Sequence, residues 1–212
     1  MTLITIIFDT ITIIINSKGC RMSRIEEKLK SGKRLSKLDA TKNLRNQEKI
    51  MGVDDFIVSK TDKKGFITYC NRIFVDMAGW SRNELIGANH NIIRHPDMPK
   101  IAFKIAWDLI SKKQEFFGFV KNLKKDGGYY WVLAYITADE DLKGNIIGYT
   151  SFRKKPSRKA IETIAPIYKA LIDAEKNGGV GASYDLLKQT LLATDENVVK
   201  KYHELVFNLQ KG

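Results

Sequence analysis

The chain has only two cysteines in 212 residues, Cys20 and Cys70. They are too far apart in sequence to form a metal-binding pair, and two thiols make no disulfide framework. That usage fits a reducing cytoplasm. No apolar run reaches the roughly 20 residues that a membrane-crossing helix requires. No nucleophile–base pair or metal-ligand cluster stands out, so an enzyme is not expected. The glycines at 178, 179 and 181 are followed by no Lys-Ser/Thr pair, which rules out a phosphate-binding loop and leaves a helix break. Phe8 is the only aromatic in the first 50 residues, so the base-stacking side chains of a single-strand nucleic-acid binder are missing there.

Acidic residues are outnumbered, giving a formal net charge of +12. Residues 17–50 hold 11 Lys and Arg against 4 Asp and Glu, so +7 of that charge sits in this one segment. Such an arm can attract nucleic acid, an anionic membrane face or an acidic partner. A solvated, mobile linker is the reading we favour. Residues 1–16 carry two β-branched runs without a cationic leader, and no small-residue cleavage site follows, which argues against a signal peptide. We expect the natural start to be Met22, with residues 1–21 an over-extended reading frame.

A hydrophobic fraction of 43% suits a packed core of one ordinary domain with flanking elements. Residues 22–52 form a basic linker with a loose amphipathic helix. The texture changes at about residue 53. Phe56–Val58 and Phe66–Tyr69 read as a hairpin around a turn that ends in Gly65. Asn71 is placed to cap a short helix that Gly79 closes, and Ser81 with Glu84 forms a capping box for the next, ended by Gly87. A longer helix follows Pro99, with Asp97 a candidate cap. Phe116–Leu123, Tyr129–Thr137 and Ile146–Phe152 are three further strands. This order predicts an α+β domain over 53–156, a five-stranded antiparallel sheet with helices on one face and a cavity between them. Residues 157–212 form a helical tail, with a kink or restart expected at Pro166 and a helix capped by Thr194. Its apolar stripes either pack on the domain or form a dimer or receptor interface.

One stretch, Asn89 to Trp131, concentrates the chemistry. Arg94 offers planar, permanently charged donors suited to a pyrophosphate. His95 can hydrogen-bond a ligand or hold the loop, and Asp97 organises that loop. Trp107 supplies a large aromatic surface. Asn122, on an otherwise apolar strand, carries both a donor and an acceptor. A cation, a helix start, an aromatic and an amide together suit a flat, anionic dinucleotide such as a flavin. Trp131 reads as sheet packing.

Asn91–Phe103 (NIIRHPDMPKIAF), Trp107, Gly118–Gly127 (GFVKNLKKDG) and Tyr129–Val132 (YYWV) resemble the flavin-binding PAS domain of bacterial aerotaxis and energy-taxis receptors. Residues 164–171 resemble the piece that follows this domain in those receptors. The resemblance implies a PAS fold holding FAD, with Arg94, His95, Asp97, Trp107 and Asn122 as cofactor-binding residues. It implies a redox sensor that signals to a membrane-bound methyl-accepting receptor, as stand-alone PAS proteins of split systems do, or to a homodimer partner. Phe116 stands where an aromatic, often Trp, is usual. Light-oxygen-voltage domains carry a photoreactive Cys within a helix string resembling NCRFLQ. Residues 89–94 contain no Cys, so a flavin–cysteinyl photoadduct is not expected. Two rivals remain: a haem-binding PAS gas sensor using His90 or His95, and a cofactor-free PAS interaction module.

Overall fold

Turn chemistry and strand alternation set the order of elements in the computed structural model, which describes residues 37–211. Residues 1–21, the expected start at Met22 and the basic run to residue 36 lie outside the described residues. A short helix, α1 (Lys37–Lys42), is followed by strands β1 (Ile57–Asp62) and β2 (Ile67–Cys70). Then come α2 (Arg72–Ala78), α3 (Arg82–Leu85), a 3₁₀ turn (His90–Ile93) and α4 (Lys100–Ile110). Strands β3 (Phe116–Leu123), β4 (Tyr129–Glu140) and β5 (Ile146–Lys154) complete the sheet. The tail is α5 (Arg158–Leu191) and α6 (Val198–Lys211). The five strands are antiparallel in the order β2-β1-β5-β4-β3. No helix among the described residues is long and apolar enough to cross a membrane.

The local signals act where they were read. Asn71 Oδ1 accepts the Phe74 amide at 3.1 Å and also the Val58 amide at 3.1 Å, so one side chain both starts α2 and fixes it to β1. Gly79 closes α2 in the left-handed region at φ 72°, where a side chain would be strained. The Ser81 amide donates to Glu84 Oε2 at 3.0 Å, completing the start of α3.

Four expectations need correction. Residues 43–49 are not a free linker, because their backbone docks on the β3–β4 turn. The Arg45 and Lys49 amides donate to Gly127 O and Tyr129 O, both at 2.8 Å, and the Tyr129 amide donates to Gln47 O at 3.0 Å. Ala40 and Met51 on either side of this segment are buried. Pro166 does not interrupt α5; the non-helical residues are Gly178 and Gly179, where the two halves of the helix meet at a kink. Thr194 does not cap α6 with its side chain. Instead Asn197 Oδ1 accepts the Thr194 amide at 2.8 Å. Asp97 does not cap α4 either. Pro99 is the cap residue, and the free amide of Ile101 is met by Glu175 Oε1 of α5 at 2.9 Å.

The tail stripes pack on the domain. Strand β3 is a sheet edge, and successive side chains point to opposite faces. Phe116 stacks near Tyr202 and Phe117 packs against Phe207, so α6 grips the edge from both sides. Outward backbone groups of β3 find partners there too. The Phe117 amide donates to His203 Nε2 at 3.3 Å, and Tyr168 Oη donates to Phe119 O at 2.7 Å. An edge that would otherwise recruit another strand is thus covered. Ile164, Tyr168, Leu171, Val198 and Val206 join the same core as α4, β3 and β4.

The docked segment gives a direct test. Gly127 has φ +88°, and a Cβ there would lie 1.8 Å from Asn43 O. Gly127→Ala is therefore expected to lower stability by about 1–3 kcal/mol. Amide exchange should quicken across residues 43–49, and an unchanged melting temperature would contradict the docking.

Candidate functional site

Between the sheet, the 3₁₀ turn and α4 lies a cavity of about 340 Å³. Its walls are largely apolar: Phe103, Ala106, Trp107 and Ile110 from α4, and Val120, Ala134 and Ile136 from β3 and β4. Strand parity brings the polar groups. Ser59 of β1, Asn122 of β3, and Tyr149, Ser151 and Arg153 of β5 all face inward. His90 and Arg94, from the segment that crosses above the sheet, complete the lining. The cavity runs from Trp107, which is 43% exposed, to Arg153, which is 3% exposed.

The 89–98 loop folds on itself through short polar side chains. Asn89 Oδ1 accepts the Asn91 amide at 3.1 Å, starting the 3₁₀ turn. The Arg94 amide returns to Asn91 O at 3.0 Å, and the Arg94 backbone forms an isolated antiparallel bridge with Asn122. The Arg94 guanidinium stacks 4.1 Å over the Phe103 ring, and Nη2 donates to Met98 O at 3.3 Å. Trp107 meets Tyr149 edge-on at 5.2 Å.

Of the five candidate cofactor-binding residues, the structure brings Arg94, Trp107 and Asn122 to this cavity and places His95 and Asp97 outside its lining. His95 and Asp97 lock the loop. The Asp97 amide donates to His95 Nδ1 at 3.0 Å, which makes Nδ1 an acceptor. Lys121 Nζ bonds Asp97 Oδ2 at 2.7 Å and lies 4.1 Å over the Tyr129 ring. Burial and the nearby Lys121 charge push His95 down to about 4. Burial opposes the Asp97 charge, but Lys121 and His95 outweigh it and hold the carboxyl below its usual value.

His95 and Arg94 also border a second cleft of about 380 Å³. It is basic, with Lys37, Arg94, Lys100 and Lys176 against one carboxylate, Glu175. Arg94 lines both spaces, so the apolar-walled cavity and the cationic cleft adjoin at this side chain.

Arg153 and Ser59, both outside the 89–131 stretch, make up a polar cluster with His90 from within it. Arg153 Nη2 donates to Ser59 Oγ, and its guanidinium lies 4.5 Å over the Phe74 ring. Ser59 Oγ and His90 Nε2 are 3.2 Å apart. Burial lowers the Arg153 pKa to about 10, where it remains charged at neutral pH. Burial and the Arg153 charge hold His90 down to about 3, so its imidazole is neutral. A signal was available, because Tyr149, Ser151 and Arg153 alternate with outward residues. Ending the strand at Phe152 hid the last of them.

Among the described residues, five buried side-chain groups have unmet hydrogen-bonding capacity: Trp80 Nε1, Asn122 Nδ2, Tyr130 Oη, and Arg153 Nε and Nη1. Three of these atoms belong to cavity-lining residues, and all three are donors. A buried donor without a partner is unfavourable by roughly 1–3 kcal/mol, more when it is charged. The cavity thus combines apolar walls with lining residues that carry spare donors, which suits a ligand with an apolar body and acceptors at one edge.

The family model described as the PAS fold matches residues 67–153. Over 118 residues the chain is 41% identical to the aerotaxis receptor of Escherichia coli (strain K12), covering 56% of this chain and 23% of that protein. Over 103 residues it is 27% identical to the bacterioopsin transcriptional activator of Halobacterium salinarum, covering 49% of this chain and 15% of that protein. The chain thus spans less than a quarter of the length of these curated relatives. The light-state structure of the blue-light photoreceptor aureochrome-1 LOV has 24% identity and a TM-score of 0.47, over 55% of this chain and 91% of that one.

The neutral imidazoles carry a pH signature. A histidine held below its unfolded value of about 6.5 contributes stability that is fully present above that value. The contribution fades as pH falls towards the folded value, because only the unfolded chain takes up the proton. Stability is thus expected to drop between pH 6.5 and 4, and His90→Gln should flatten the slope by roughly 1.4 kcal/mol per pH unit. Denaturant titrations at several pH values check this, and parallel slopes for the two proteins would contradict a neutral His90.

Proposed function

Residues 67–153 are a PAS-fold domain similar to that of an aerotaxis receptor, and on that premise we propose that the chain is a redox sensor holding a flavin, as FAD, in the cavity beneath α4. The observation that carries this reading is the set of three buried, unpartnered donors on Asn122 and Arg153, two of the residues that line a cavity of about 340 Å³ with apolar walls. An isoalloxazine is flat and apolar over most of its area and rich in carbonyl and imine acceptors along one edge. The cationic cleft next to Arg94 suits a pyrophosphate, which favours the dinucleotide over a ligand confined to the first cavity.

A bound flavin would supply reversible electron uptake in which a ring nitrogen changes from acceptor to donor. The chain's own part is hydrogen bonding and transmission. The Asn122 amide can answer either state by turning over, since it carries a carbonyl and an NH₂ group. Its backbone is bridged to Arg94, whose loop leads directly into α4. The first turn of α4 is held by Glu175 of α5, and α5 with α6 covers the β3 edge. A change at Asn122 therefore has a continuous, packed route to the tail. Signalling needs the two ligand states to differ in interaction energy with two arrangements of that tail. The output partner in this reading is a methyl-accepting receptor or a second copy of the chain in the cytoplasm.

A haem reading is less well served. His95 lies outside the cavity lining and its Nδ1 accepts from Asp97, while His90 Nε2 is shared with Ser59. The visible spectrum of the purified chain tests the choice. A band near about 450 nm that bleaches with dithionite is expected for flavin, and a Soret band for haem. Asn122→Ala should lower flavin affinity about fivefold, the loss of one hydrogen bond. Trp107→Ala should lower it about tenfold or more through lost aromatic surface. A featureless wild-type spectrum after expression with ample flavin would contradict the proposal.

A further inference from the structure

The innermost charge of the cavity lies outside the 89–131 motif. Arg153 is 3% exposed, and among the described residues no carboxylate pairs with it. Its immediate partners are neutral: Ser59 Oγ, which accepts from Nη2, and the Phe74 ring. His90, on the far side of Ser59, brings no negative charge, and its Nε2 already faces the serine. Nε and Nη1 have no acceptor. Asn122, which lines the same cavity, likewise has a buried donor, Nδ2, without an acceptor. A guanidinium kept only for packing has no reason to leave two N–H groups unmet, since an apolar side chain of similar volume would fill the space at least as well. A buried cation with spare donors, lining a cavity, is instead suited to a ligand that brings the missing acceptors.

Resting on the flavin reading, we propose that Arg153 is the inner anchor of the ligand, donating to a carbonyl or imide oxygen of the ring and binding the more negatively charged redox state more tightly. Two electrons from dithionite with one proton, rather than two, leave one net negative charge on the ring. The Arg153 guanidinium is the counter-charge. Arg153 thereby raises the potential at which the sensor switches, while Asn122 reads the change in hydrogen bonding. The two donors have separate tasks: one sets the bias, the other reports the state.

Full-length wild type, Arg153→Met, Arg153→Gln and Arg153→Lys are compared for FAD affinity, midpoint potential under dithionite titration, and melting temperature without ligand. Arg153→Met and Arg153→Gln are expected to bind oxidised FAD about tenfold more weakly and the reduced form a further tenfold more weakly. That further factor lowers the midpoint potential by about 30 mV for a two-electron couple. Arg153→Lys keeps the charge and therefore the potential, while losing affinity through its poorer donor geometry. Ligand-free Arg153→Met should melt no lower than wild type, whereas a purely structural arginine would leave it less stable. If Arg153→Met does not fold, Arg153→Gln carries the comparison. Flavin-bound wild type together with neutral variants at the wild-type potential overturns the anchor role and leaves the flavin reading intact. Wild type that takes up no flavin overturns both.

Discussion

A guanidinium buried without a carboxylate is the constraint around which this site is organised. Removing an unpaired cation from water is unfavourable on the order of several kcal/mol, and little in the surrounding protein offsets it. Ser59 offers one acceptor and Phe74 an aromatic face. Burial first and the Arg153 charge second keep His90 neutral, and the amide of Asn122 keeps an unmet donor. Polar capacity has been left open on one side of an apolar space, which is what a binding site requires and a closed core avoids.

The framework that keeps the cavity open comes from outside the sheet as well as within it. Helix α4 forms one wall, yet its first turn is secured by Glu175 from α5 rather than by its own cap. The same tail covers the β3 edge through Tyr168 and His203. The N-terminal segment at residues 43–49 docks on the β3–β4 turn through backbone bonds. Cavity, loop and tail are therefore one connected packing unit. The segments flanking the PAS-fold domain are part of its mechanical frame, and under the proposed function they are also the route by which a signal would leave.

How much of this was legible in the sequence follows from how local each interaction is. Asn71, Gly79 and the Ser81–Glu84 pair act within a few residues, and their turn and cap roles could be read directly. Strand-like runs between turn signals gave the five strands, and Asn122 was singled out by its amide on an otherwise apolar strand together with the resemblance. Trp107 came from the resemblance. What escaped depends on contacts distant in sequence. Glu175 replaces the expected Asp97 cap across 74 residues. Arg153 lies 94 residues from Ser59. The docking of residues 43–49 on Gly127 and Tyr129 depends on where a turn falls in space. His95 and Asp97, inside the motif, are tied to each other and to Lys121 instead: the Asp97 amide donates to His95 Nδ1, and Lys121 Nζ donates to Asp97 Oδ2. Proximity in sequence to Arg94 did not decide their direction.

Native mass spectrometry of the full chain, purified without denaturant from flavin-sufficient cells, tests the central claim most directly. The account predicts a non-covalent adduct with the mass of FAD that is released on unfolding. The adduct should be depleted when Arg153 and Asn122 are both replaced by apolar residues. A bare polypeptide mass for a folded wild-type chain would contradict it, because the unmet donors would then serve no ligand.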